Sequence, residues 1–137
     1  MQALADKDRR IDAIRALVGG VTATELRTAE VTEAARDALL AGLRDPDPRV
    51  RWWCVQLVDH LPDASTLAAV VPLLDDPVPR VRRNAAHALG CLACKPGWDG
   101  VLPAEAWAKL ADLAQRDPNE KVRVEAARSL ACTARAS

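Results

Sequence analysis

The stretch DPVPRVRRNAAHALGCL, residues 76–92, decides the fold because two other segments match it without a gap. DPDPRVRWWCVQLVDHL begins at Asp45 and DPNEKVRVEAARSLACT at Asp117, so the starts lie 31 and then 41 residues apart. Self-similarity at such a period marks a stack of like units. The longer second interval holds KPGWDGVLPAE, residues 95–105, whose Pro and Gly mark a loop. Each copy opens on Asp then Pro, which reads as a helix start: Asp45, Asp76 and Asp117 as caps, Pro in the first turn, and Asp117 with Glu120 as a capping box.

Within the copies the apolar period is helical. Ala85, Ala88, Leu89 and Leu92 all fall within about 80° of Val81 on a helical wheel. Val50, Cys54, Leu57, Val58 and Leu61 repeat the stripe in the first copy, and Val122, Ala126 and Leu130 in the third. A second apolar helix is expected ahead of each copy, at residues 30–44, 64–75 and 103–116, with Pro72 kinking or shortening the middle one. RRIDAIRALVGG, from Arg9, reads as one more helix, stopped by Gly19 and Gly20. Paired amphipathic helices cannot bury their apolar faces alone, so the units must stack into an α-solenoid. The expected organisation is one all-α domain over 1–137. An N-terminal helical cap (1–29) is followed by repeat 1 (30–62), repeat 2 (63–95), and a loop with repeat 3 (96–137).

Composition agrees. Of 137 residues 50% are hydrophobic, yet there is no Phe or Tyr, only four Trp, and 27 Ala, so the helices must approach closely over small side chains. Lys plus Arg and Asp plus Glu number 19 each, which argues against a general polyanion binder. No run reaches the ~20 apolar residues of a membrane span, and MQALADKDRR lacks the order of a signal peptide, so a soluble cytoplasmic protein is expected. Arg outnumbers Lys 15 to 4, a bias that with the Ala content suits a GC-rich coding sequence.

The pattern DPxxxVRxxAAxALGxL resembles the HEAT repeat, particularly the bacterial HEAT-like repeats of small scaffold proteins and phycobilin lyase subunits, over residues 45–134. The resemblance implies an armadillo-like right-handed superhelix whose second helices line a concave binding side. It also implies an interrepeat ladder of an Asp in the turn and an Arg six residues on. Asp45 and Arg51, Asp76 and Arg82, and Asp117 and Arg123 have that spacing, so these arginines read as structural.

On the wheel, the face opposite the buried stripe carries Trp52, Gln56 and Asp59 in the first copy, Arg83, His87 and Gly90 in the second, and Val124, Arg128 and Ala131 in the third. Trp53 points 100° away from Trp52, towards an adjacent repeat. Trp52, Trp53, Gln56, Arg83, His87 and Arg128 are the candidate partner-binding residues, since Trp and Arg are favoured at interface hot spots. Trp98 and Trp107 are expected to pin the long loop.

A rival reading is metal binding by zinc or iron. His87, Cys91 and Cys94 share one helix face at i, i+4 and i+7, and His60 or Cys132, at the same repeat position as Cys91, would complete a tetrahedral set. Against it, a lone CxxC lacks the second pair that marks a zinc site, so no cofactor is the first expectation. Redox chemistry ranks lower still: CACK lies at a helix C-terminus, where the dipole disfavours thiolate. His60 precedes Leu61 and His87 precedes Ala88, so the His-Glu pairs of iron-binding HEAT hydroxylases are absent. Trp52, Asp59 and Arg83 echo only the residue types of HEAT-like DNA glycosylases. The reading is a non-enzymatic scaffold that binds a macromolecule, foremost a protein, with nucleic acid and membrane disfavoured. Pairing of two copies through the thinly covered C-terminal end is an alternative.

Overall fold

The computed structural model describes residues 2–22, 29–90 and 102–136. Among these, α1 (Gln2–Thr22) precedes three helix pairs: α2 (Ala29–Gly42) with α3 (Pro48–Leu57), α4 (Ala64–Val70) with α5 (Pro79–Gly90), and α6 (Ala104–Arg116) with α7 (Glu120–Ala136). No strand occurs among the described residues. The order and pairing make an all-α solenoid.

Several expected boundaries move. The helix caps lie two residues later than the Asp-Pro steps suggest. Asp47 caps α3 by accepting the Arg49 amide at 2.8 Å, with Pro48 at the first helical position. Asn119 Oδ1 accepts the Lys121 and Val122 amides at the start of α7, so Asp117 and Glu120 do not form the expected capping box. Asp45, Asp76 and Asp117 instead each accept the amide two residues ahead at 2.9 Å, closing the turn before the helix. A capping box does form at α4, where Asp63 Oδ1 accepts the Thr66 amide and the Asp63 amide donates to Thr66 Oγ1, both at 3.0 Å. Gly19 and Gly20 do not stop α1, which runs on to Thr22. As Pro72 predicts, α4 stops at Val70 and tightens into a 3-10 turn over Val71–Asp75.

One continuous core runs from Ile11, Ile14 and Val18 of α1 to Val122 and Ala126 of α7. Small residues let the axes close up. A side chain at Gly90 would overlap the Cβ and Oγ of Ser129, whose hydroxyl donates to the Ala86 carbonyl at 2.7 Å. Gly90 therefore faces α7 inside the stack; its expected place on the open face is wrong, because the wheel alone cannot see where the next helix lies.

The stack is tied by a repeated polar rung. Arg51 of α3 forks onto Asp76 of the next repeat, Nε to Oδ2 at 2.7 Å and Nη2 to Oδ1 at 3.1 Å, while its Nη1 donates to the Asp45 carbonyl at 2.9 Å. Arg82 repeats the arrangement on Asp117, at 2.8 and 3.1 Å, and on the Asp76 carbonyl at 2.8 Å. Arg10 supplies the first rung from α1 to Asp45, at 2.8 and 3.1 Å, so α1 stacks as a preceding second helix would. Arg123 donates to the Asp117 carbonyl at 2.7 Å. The acidic partners are deeply covered, with side-chain exposures of 3% for Asp76 and 2% for Asp117, and bidentate geometry suits such desolvated pairs.

Burial alone would raise the Asp117 carboxyl, but the Arg82 fork, the Asn119 amide and the charges of Arg82 and Arg123 outweigh it and hold the group below the ordinary carboxylate value. Burial would likewise raise the Asp63 carboxyl, but Ser65, the Thr66 amide and Arg36 outweigh it and hold this group low as well. A carboxyl lowered in the folded state stabilises the fold fully above its unfolded value of about 4 and loses that contribution as pH falls through the lower folded value. The urea midpoint should therefore fall steeply below about pH 4, and Asp117→Asn should be less stable at pH 7 yet show a shallower acid limb. Gly90→Ala should cost about 1–3 kcal/mol in urea unfolding by overpacking α5 against α7; an unchanged midpoint would show that the helices separate freely there.

Candidate functional site

The outward faces of the second helices join into a trough. A groove of about 320 Å³ is lined by Trp52 and Gln56 from α3, Arg80, Arg83, Asn84 and His87 from α5, and Glu125 from α7. It continues at one end into a recess of about 210 Å³ shared by Trp52, Trp53, Arg49 and Arg80 with Lys7, Asp8 and Ile11 of α1. At the other end it meets a smaller hollow of about 50 Å³ where Arg128 and Cys132 join His87 and Glu125.

The two tryptophans stand at the junction. Their rings meet edge to face, centroids 5.2 Å apart at 86°, which is how neighbours 100° apart on a helix can both find cover. Arg15 of α1 lies 4.7 Å over Trp53, and Arg80 lies 5.6 Å over Trp52. Asn84 Nδ2 donates to the Trp52 carbonyl at 3.1 Å, tying α5 to the helix that carries the ring. Both rings also pack against the core, so each serves stability as well as surface.

At the α7 side, Glu125 is nearly buried, at 8% side-chain exposure, and is held by His87 Nδ1 at 2.9 Å and by Arg128 Nη1 at 3.5 Å. This buried carboxylate is therefore satisfied within the fold and fixes the orientation of the His87 ring.

Of the candidate binding residues, Trp52, Gln56, Arg83 and His87 meet in the central groove, Trp53 lines the α1 recess, and Arg128 edges the far hollow. Arg49, Arg80, Asn84 and Glu125 also line this surface and were not expected there. A signal for two of them exists: Arg49, Arg80 and Lys121 occupy the same repeat position, four residues after each Asp.

Among the described residues no group of three or more His, Cys, Asp and Glu could hold an ion, and that search does not reach the central cysteines of the expected metal set. Cys91, Cys94 and Trp98 lie outside the described residues. His60 is exposed in a 3-10 turn (Val58–His60) that ends the α-helical register of α3, and Cys132 is exposed on α7. Burial, aided by the charge of Asp45, pushes the Cys54 thiol up to about 12, so it is an inert packing group. Trp107 packs half-buried on the core.

A family model describing HEAT repeats matches residues 36–131, the greater part of the chain. The chain belongs to the HEAT-repeat family. In this HEAT protein the match begins within α2 and ends within α7, covering all three helix pairs. No curated protein and no solved structure shows significant similarity to it. No helix among the described residues is long and apolar enough to cross a membrane.

Proposed function

We propose that this HEAT protein is a binding module that holds another protein in the trough formed by α3, α5 and α7. The observation that carries the reading is the placement of Trp52: its ring is only half-buried, it faces the central groove, and Arg80 and Arg83 flank it without any carboxylate partner among the described residues. A large aromatic at the bottom of a groove with unneutralised arginines beside it has the composition of an interface centre. The rigid ladder below keeps those side chains in register, so little order has to be gained on binding.

Because Trp52 also packs on the core, its truncation would confound binding with folding. Arg83 is exposed and makes a cleaner probe. Immobilised Arg83→Glu should melt within a degree or two of the parent but lose a protein that the parent retains stoichiometrically from native extract, whereas Arg116→Glu on α6 should keep it. Equal retention by the parent and Arg83→Glu would contradict the reading.

A further inference from the structure

Some arginines of this chain are paired and others are not; Arg15, over Trp53, Arg44, on another face, and Arg123, on the Asp117 carbonyl, make no carboxylate ion pair among the described residues. Arg10, Arg51 and Arg82 are forked onto ladder aspartates, and Arg36 and Arg128 pair with Asp63 and Glu125. Arg49, Arg80 and Arg83 pair with no carboxylate among the described residues, and all three line the trough beside the tryptophans.

Arg49 and Arg80 occupy the first turns of α3 and α5; the Asp47 carboxylate caps α3 beside Arg49, whereas the first turn of α5, which carries Arg80 next to the positive end of the helix dipole, holds no acidic residue. Arg51 and Arg82, two residues on, are already consumed by the ladder. Among the described residues Arg49 and Arg80 make no ion pair, although Asp8 shares their recess, so an anion supplied from outside can meet both.

The surroundings select the kind of anion. Glu125, at one end of the central groove, is already held by His87 and Arg128, and Asp8, in the α1 recess, by Lys7, so the cationic stretch of Arg49, Arg80 and Arg83 is short. A nucleic-acid strand, charged at every step, would outrun that stretch, and the zero net charge adds no long-range attraction for it. A polypeptide can place its charges singly. Neighbouring helices lie roughly 8–10 Å apart, and three residues of extended chain span about 10 Å.

We propose that the trough takes an extended acidic segment of a partner protein: one carboxylate meets Arg49, a second, about three residues along, sits between Arg80 and Arg83, and an apolar side chain between them lies on Trp52. This rests on the trough being the binding face, and adds what fills it.

The test is to pan a random peptide library displayed on phage against the full chain, against Arg80→Gln/Arg83→Gln, and against Trp52→Leu. Synthetic copies of the enriched peptides and a single-stranded oligothymidine are then titrated by fluorescence anisotropy at low and high salt. Enrichment of Asp and Glu at a spacing near three is expected, with affinity falling about tenfold or more in the arginine variant and with added salt. Peptides enriched without acidic residues but lost in Trp52→Leu would overturn the acidic occupant and leave the binding face standing. No enrichment would overturn both, and tighter binding of oligothymidine than of any peptide would overturn the proposal in favour of nucleic acid.

Discussion

The structure depends on the rung that passes from each second helix to the turn of the next repeat. In it a single aspartate does three things: its carboxylate receives the arginine of the preceding helix, the same carboxylate closes the local turn on the amide two residues ahead, and its carbonyl receives its own repeat's arginine. Turn geometry and repeat stacking therefore share an atom group, and neither can shift alone. That coupling suits a core made chiefly of Ala, Val and Leu, where apolar contacts are individually small and poorly directional. Burying these charges is costly unless they are fully paired, and the bidentate forks provide that pairing.

The same rung sorts the basic residues. In the sequence VR of the first two copies, the arginine is drawn inward and sideways to the next turn, which leaves the basic residue two positions earlier on the outward side. Arg49 and Arg80 are thereby presented at the first turns of parallel helices, with Trp52 and Trp53 beneath them and Asn84 locking one helix to the other. Architecture and binding surface come from one short motif read in two registers.

Most of the fold was legible in the chain because it is repetitive. Three aligned segments, one helical stripe and a proline late in a helix were enough to place the helix pairs, and the family resemblance supplied the ladder pairing. The misplacements have local causes. Asp-Pro looks like a cap, yet Asp47 and Asn119 take that role because the ladder aspartates are already engaged in the preceding turn. Gly90 looked outward on the wheel and faces Ser129, since close approach of two helices depends on a partner that the wheel does not contain. In the site, Trp52, Gln56, Arg83 and His87 were readable from one face of successive helices. Glu125 was not, because its burial follows from how α7 leans on α5, and Arg80 was passed over although the recurrence of a basic residue four positions after each Asp was visible.

The central claim is that the forked pairs, more than the apolar stripe alone, hold neighbouring repeats in register. A double-mutant cycle on Arg82 and Asp117, read by urea unfolding of the single variants Arg82→Met and Asp117→Asn and of both together, tests it directly. The account predicts that the two losses are strongly non-additive, with a coupling above about 1 kcal/mol and the double variant little worse than either single one. Additive losses, with a coupling near zero, would contradict it and return the stacking to apolar packing alone.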